Sequence, residues 1–522
     1  MPSKSLASTV SDERTEIENA GNTYEDTMYM ERLGKVQVVR RNFGFWTILG
    51  LTTSMLATWE AVYFANSTAM VDGGPASLVY GFIYTALGAL TTAASLAELA
   101  SMWPTSGGQY HWTAMLAPEK YKVFLSWLCG WVSTIGWISN ACAGAFFVGT
   151  MIQGVLVQTD AGYEPHRWQG TLLIYAAIFV AFIVNSVGTR LLAVVEGIVF
   201  VLHLTGFLAI LVPLLYFSRK GSSAAVWGTF TDAGGWGSDG LAWWIGLIGS
   251  NLVFIGIDGP AHLSEEVANA ATVVPRAMIG TVLINAPLGW AVAIAFSYCI
   301  VPTFNAATSS PTGYDYMEVF YAAVGPAGMS GMASILIVMV WFATMNFLAT
   351  ASRQTWAFAR DRGLPFSNYF AKVNKRLALP LRAIVLCSLI VCLIGLINIG
   401  STAAFNAIVS LTEAGLFLSY LIPITLIMGK KIKGEEVKYG PWKMGKALGI
   451  FTNGFAAVFL VLSTFFSFFP PATPVTLVTM NWSIVVFSGF VILGLVWYAI
   501  RGRKQYHGPV VERAVVSVEP KV

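Results

Sequence analysis

Phe254-Ile255-Gly256-Ile257-Asp258-Gly259-Pro260 closes a run free of charged residues from 240 to 257. Two glycines, a proline and an acid interrupt a segment otherwise apolar enough to enter a bilayer. Pro260 has no N–H, and its ring clashes with the carbonyl four residues earlier, on Gly256. The helix is expected to break across 254–260. At membrane depth, broken backbone is tolerated only where it lines a cavity or is buried in protein. Carbonyls freed there can hold an ammonium group or an ion.

The rest of the chain places this stretch in a membrane. Of 522 residues, 56% are hydrophobic and 11% charged, against ~25% charged in ordinary soluble proteins. Mean hydropathy is +0.65. These figures exclude a disordered chain, a disulfide scaffold and a nucleic-acid binder. Cys129, Cys142, Cys299, Cys387 and Cys392 lie in apolar stretches with no CxxC pair, so no metal, redox group or other cofactor is called for.

Charge-free stretches at 42–59, 73–97, 123–159, 168–189, 197–218, 240–257, 277–314 and 319–352 each supply one span. The stretch 383–429 turns at Asn398–Thr402, and 447–500 is divided by Pro470, Pro471 and Pro474, so each supplies two. Twelve spans follow, in an all-α membrane protein. Of the 31 Lys and Arg residues, only Arg167, Arg219 and Lys220 fall on one face. The positive-inside rule then puts both termini in the cytoplasm. Residues 1–40 read as a disordered cytoplasmic tail and 501–522 as a second tail. No apolar segment precedes residue 43, so no cleaved signal peptide is expected. The bilayer is one partner of the chain.

Ionisable groups inside spans are costly and mark function. Those read here are Glu60, His203, Asp258 and Glu413. Acids without a fixed base suit a cationic substrate, a proton or both. Ser54 to Glu60 contains neither Gly nor Pro, so the residues alone predict a continuous first span.

Ala97-Glu98-Leu99-Ala100-Ser101 is followed by Pro104-Thr105-Ser106-Gly107-Gly108-Gln109-Tyr110. Phe254–Pro260 is followed by Ser264-Glu265-Glu266 and Val274-Pro275-Arg276-Ala277. A third motif runs from Ser352-Arg353-Gln354-Thr355-Trp356 through Arg360-Asp361-Arg362-Gly363-Leu364-Pro365. Over roughly residues 40–500, these resemble the amino acid–polyamine–organocation (APC) superfamily, closest to its fungal GABA and choline permease branch.

The resemblance implies a LeuT-like fold. Residues 41–217 and 240–428 would form a five-plus-five inverted repeat, with 447–500 peripheral. Substrate would sit between discontinuous helices 1 and 6. The resemblance therefore implies a break in span 1 as well, at Ala57-Thr58-Trp59, where the family commonly has Gly-small-Gly. The implied substrate residues are Ser54, Ala57, Thr58, Trp59, Glu60, Phe254, Ile255, Gly256 and Asp258. Glu60 would pair with a substrate amine, and Phe254 would give a cation–π or gating contact. Alignment from Gly188-Thr189-Arg190 puts His203 where some bacterial relatives carry a lysine linked to proton coupling. Glu60 and His203 are thus the coupling candidates. Trp341 is a weaker pocket candidate.

The expected function is a secondary active permease importing a small amine or amino acid by proton symport, through alternating access in the plasma membrane. GABA, choline, an amino acid and a polyamine all suit such a pocket. The alternative is a non-transporting nutrient sensor on the same scaffold. A membrane-embedded enzyme would need a constellation that the scattered histidines do not supply.

Overall fold

The computed structural model describes residues 23–510, apart from 188, 375, 401–403 and 478. The described residues form helices and no strands. The principal helices are α1 Tyr24–Arg32, α2 Phe45–Leu56, α3 Thr58–Phe64, α4 Gly74–Met102, α5 Gln109–Leu116, α6 Glu119–Thr159, α7 Arg167–Val187 and α8 Thr189–Phe217. They continue with α9 Asp239–Leu252, α10 Gly259–His262, α11 Ala270–Ile300, α12 Asp315–Arg360, α13 Leu381–Gly395, α14 Ala404–Lys433, α15 Lys446–Ser467 and α16 Ser483–Trp497.

Among the described residues, ten helices are long and apolar enough to cross a membrane. The expected spans at 42–59 and 240–257 are not among the ten, because both are interrupted: α2 gives way to α3, and α9 to α10. α12 also bends, at Gly325 (φ 73°) before Pro326. The turn expected over Asn398–Thr402 lies partly outside the described residues.

Burial sorts the helices. In their most apolar windows, 78% of α14 and 67% of α6 are buried, against 11% of α16. α6 packs extensively against both α12 and α14, forming the centre, and α16 lies at the periphery. Gly136 and Gly415 let α6 and α14 touch: a Cβ on Gly415 would meet Gly136 backbone and the Val132 carbonyl at 2.9–3.0 Å. Small residues at such crossings replace hydrophobic driving force with close contact.

The tail read as disordered over 1–40 departs from that reading in its described part. Thr23 caps α1 by accepting from the Asp26 N–H. Asp26 in turn accepts from the backbone N–H groups of Asn269 and Ala270, and Arg41 donates to the Ser264 and Val267 carbonyls. Few apolar contacts are needed where charged side chains cap backbone in this way, and composition alone does not register that.

Candidate functional site

The helix breaks lie side by side. Helix α2 ends at Ala57, which adopts φ 44°, ψ 41°. This left-handed conformation costs a non-glycine residue about 1–2 kcal/mol. The residue-level expectation of a continuous first span is therefore corrected. Neither Gly nor Pro causes the break; tertiary partners hold it. A helix end leaves its last carbonyls unbonded. Here Asn285 of α11 donates to the Thr53 carbonyl at 3.3 Å, and Asn346 of α12 donates to the Leu51 carbonyl, just before those last four, at 3.4 Å. The Thr58 hydroxyl donates to the Val253 carbonyl at 2.8 Å, joining this break to the second one.

In the second break, helix α9 stops at Leu252 and turns fill 253–258. Gly256 carries the left-handed bend at φ 103°. The helix resumes at Gly259, so Pro260 sits in the first turn of α10. Proline is well suited there, since first-turn N–H groups have no helical partner. The interruption thus begins earlier than Pro260 predicts, and Pro260 starts the second half.

Glu60 lies in the first turn of α3. Its Oε1 is 2.7 Å from Nδ1 of His203 on α8, and both side chains are fully buried. The second carboxyl oxygen and the other ring nitrogen have no hydrogen-bond partner among the described residues. Trp59 packs among Tyr63, His203 and Phe207, its ring 5.7 Å from the imidazole. Ser54 donates to Glu196 of α8 at 2.7 Å and accepts from Asn346 at 3.2 Å.

Asp258 is a hub. It accepts from Gln109 (2.5 Å), Trp137 (3.1 Å), His262 (3.0 Å) and the Tyr420 hydroxyl. Its carboxylate is turned into these four donors, where the sequence suggested an acid facing substrate. Ile255 is buried, and so is Phe254, whose ring lies 5.3 Å from that of Phe82. Glu413 accepts from Asn251 at 2.8 Å, next to the end of α9. Trp341 donates to the Ala177 carbonyl of α7, a packing position.

A family profile described as amino acid permease matches residues 43–490. The chain belongs to the amino acid permease family. The permease falls in the APC superfamily, on the branch of choline and amino acid permeases. It is 31% identical over 472 residues to a choline transporter of Saccharomyces cerevisiae, covering 90% of this chain and 83% of that one. Amino-acid permease BAT1 of Arabidopsis thaliana is 29% identical over 498 residues, covering 92% and 95%. Amino-acid permease 2 of Neurospora crassa is 28% identical over 488 residues, covering 92% and 88%. The permease is a multi-pass membrane protein.

The motif at the end of α12 builds a charged face. Arg353 bonds Glu266 at 2.8 Å, Arg360 bonds Glu265 through two nitrogens at 2.9 Å, and Lys35 pairs with Asp361 at 2.7 Å. Asp361 also accepts from the Tyr110 hydroxyl and the Val510 N–H. Burial alone would raise the Glu265 carboxyl; the Arg360 guanidinium overrides it and holds the group at about 2. The Arg360–Glu265 pair stays ionised through the neutral range. Arg362 stands apart, exposed to solvent.

Glu196, bonded to Ser54 beside the first break, is a buried acid that sequence reading missed. The charge-free stretch there begins at 197, whereas α8 starts a full two turns earlier. Three partners of Asp258 were missed for another reason: Gln109, Trp137 and Tyr420 lie 121–162 residues away, and His262 is the one local partner. The glycines before Gln109 were noticed, but not the glutamine's bond to the second break.

Proposed function

We propose that this permease is a secondary active importer of a small amine or amino acid, such as GABA, choline or an amino acid, driven by proton symport. The observation that carries this reading is the pair of adjacent helix breaks joined by Thr58 and Val253. Backbone freed at such a pair offers carbonyl and N–H ends to an ammonium and a carboxylate group. The breaks fall in the first helix of each proposed five-span half, 41–217 and 240–428, which supports a LeuT-like inverted repeat with twelve spans. The names of the yeast, plant and fungal relatives support the substrate class.

Ser54, Ala57, Thr58, Trp59, Glu60, Phe254, Ile255, Gly256 and Asp258 line or hold the substrate region in this reading. Asp258 fixes the second break through its four donors instead of meeting the substrate. Glu60 and His203 form the protonatable pair, and Glu196 is a further buried acid against the same helix. The charged face is cytoplasmic, with both termini, in the plasma membrane. Closing and opening that face would alternate access to the site.

Proteoliposomes with an imposed pH gradient test the proposal. Radiolabelled GABA, choline, neutral and basic amino acids and a polyamine are offered in turn. Accumulation of at least one, abolished by collapsing the gradient, is expected. Failure to transport any of them would leave the sensor reading standing in its place.

A further inference from the structure

A cavity of about 880 Å³ lies away from the helix breaks, between the core and the peripheral α16. Trp131 of α6, Ile390 of α13, and Val486 and Phe490 of α16 are among the apolar groups around it. It shares Pro365 and Phe366 with a second hollow of about 660 Å³, bordered by Arg362, Trp497, Arg501 and Gln505. The two hollows adjoin at these residues, the larger lined by apolar groups and the smaller carrying the basic ones.

The geometry points to an anionic glycerophospholipid as its occupant, with an acyl chain in the apolar part and the phosphate between Arg362 and Arg501. Charge complementarity carries the choice of lipid. Both guanidinium groups are exposed, neither has an ion-pair partner among the described residues, and no acid lines the basic hollow. A zwitterionic headgroup would bring a cation beside two guanidinium groups with no lining carboxylate to offset it. Basic pockets between transmembrane helices hold anionic headgroups for this reason.

Length agrees. The apolar part follows the chain from Leu386 to Ile397, a rise of roughly 16 Å at 1.5 Å per residue. That matches about half of a ~30 Å hydrocarbon core, the depth of one acyl chain. The mouth is also conformationally unusual. Arg362 (φ 63°) and Phe366 (φ 55°) are non-glycine residues in the left-handed region, and Phe366 is 82% exposed. A π-helical turn, Tyr498–Gly502, sets Ile500 and Arg501 at the same opening. Strained residues and π-turns of this kind gather at ligand sites.

Native mass spectrometry of the full chain tests this, with phosphatidylglycerol and phosphatidylcholine of identical acyl chains at equal concentration. Retention of phosphatidylglycerol about tenfold over phosphatidylcholine is expected for two unpaired cations. R362Q/R501Q should bring the two lipids level with an unchanged thermal transition, since both side chains are exposed. Ile390→Trp, filling the larger hollow, should lower retention of both. Equal retention by the wild-type chain, or a preference surviving in R362Q/R501Q, would overturn the assignment. So would displacement of the lipid by soluble glycerol phosphate at matched concentration, which would make the site one for a free anion. Should R362Q/R501Q fail to fold, R501Q alone is read in the same way, with a loss of about half the preference on a logarithmic scale.

Discussion

The hydroxyl of Thr58 and the carbonyl of Val253, 2.8 Å apart, tie the start of α3 to the end of α9, two segments 195 residues apart in the chain. Neither break can shift far without stretching this bond. Thr58→Val keeps the shape and leaves the Val253 carbonyl unpaired, at a cost of about 1–3 kcal/mol. A lower thermal transition and slower uptake are expected, with Thr58→Ser close to wild type. Equal behaviour of the Val and Ser variants would mean that the bond does not hold the breaks together.

Glu60 and His203 test the coupling. Glu60→Gln keeps a hydrogen bond to the imidazole and removes the exchangeable proton. Substrate counterflow should persist while pH-driven accumulation is lost, and His203→Gln should behave alike. Intact accumulation with affinity lowered about ten- to a hundredfold, or roughly 1.4–2.8 kcal/mol, would instead put Glu60 on the substrate.

Asp258→Asn should act on stability and leave substrate preference alone. The amide would turn its own N–H groups toward donors that now meet a carboxylate. Breaking a buried charged network typically costs ~3–5 kcal/mol. A marked fall in the thermal transition and in yield is expected, with an unchanged ranking of substrates. A native transition with a changed ranking would move Asp258 into the substrate shell.

Asp72, in the link between α3 and α4, offers a pH test. Burial raises its carboxyl from 3.8 to about 6, partly opposed by the Gly234 N–H that it accepts. A carboxyl raised by folding favours the folded state in its protonated form. Its effect is therefore a gain in stability as pH falls from about 6 toward 3.8. Thermal transitions of the wild type and Asp72→Asn, subtracted at each pH, should differ by that slope. A flat difference across the window would show that Asp72 is not shifted.

The parts of this architecture that sequence reading caught are those with a local cause. Gly256, Gly259 and Pro260 advertise the second break, because backbone freedom and a missing donor are written into the residues themselves. The first break has no such mark. Asn346 and Asn285, from other helices, bond carbonyls of α2 beside Ala57, and Thr58 bonds Val253 across to α9, so the family resemblance was the only sequence route to it. The pairing of Glu60 with His203 was likewise invisible at a separation of 143 residues, although both groups stood out as ionisable in apolar surroundings. For α1, a local signal was present. Thr23 followed three residues later by Asp26 is a capping pattern, overlooked because the acidic composition around it reads as unfolded.

Asp361 has a bearing on how the protein is assembled. One of its oxygens takes Lys35, 326 residues earlier, and the N–H of Val510, 149 residues later. During synthesis from the N-terminus, Lys35 must wait for most of the chain before its counter-charge exists. Asp361 then waits for the segment beyond α16. The junction is therefore among the last parts of the molecule to close. A chain stalled or cleaved before residue 510 would retain its spans but carry an incompletely satisfied buried carboxylate at that face. Such a defect gives a cell's quality control a chemical difference by which finished and unfinished copies can be told apart.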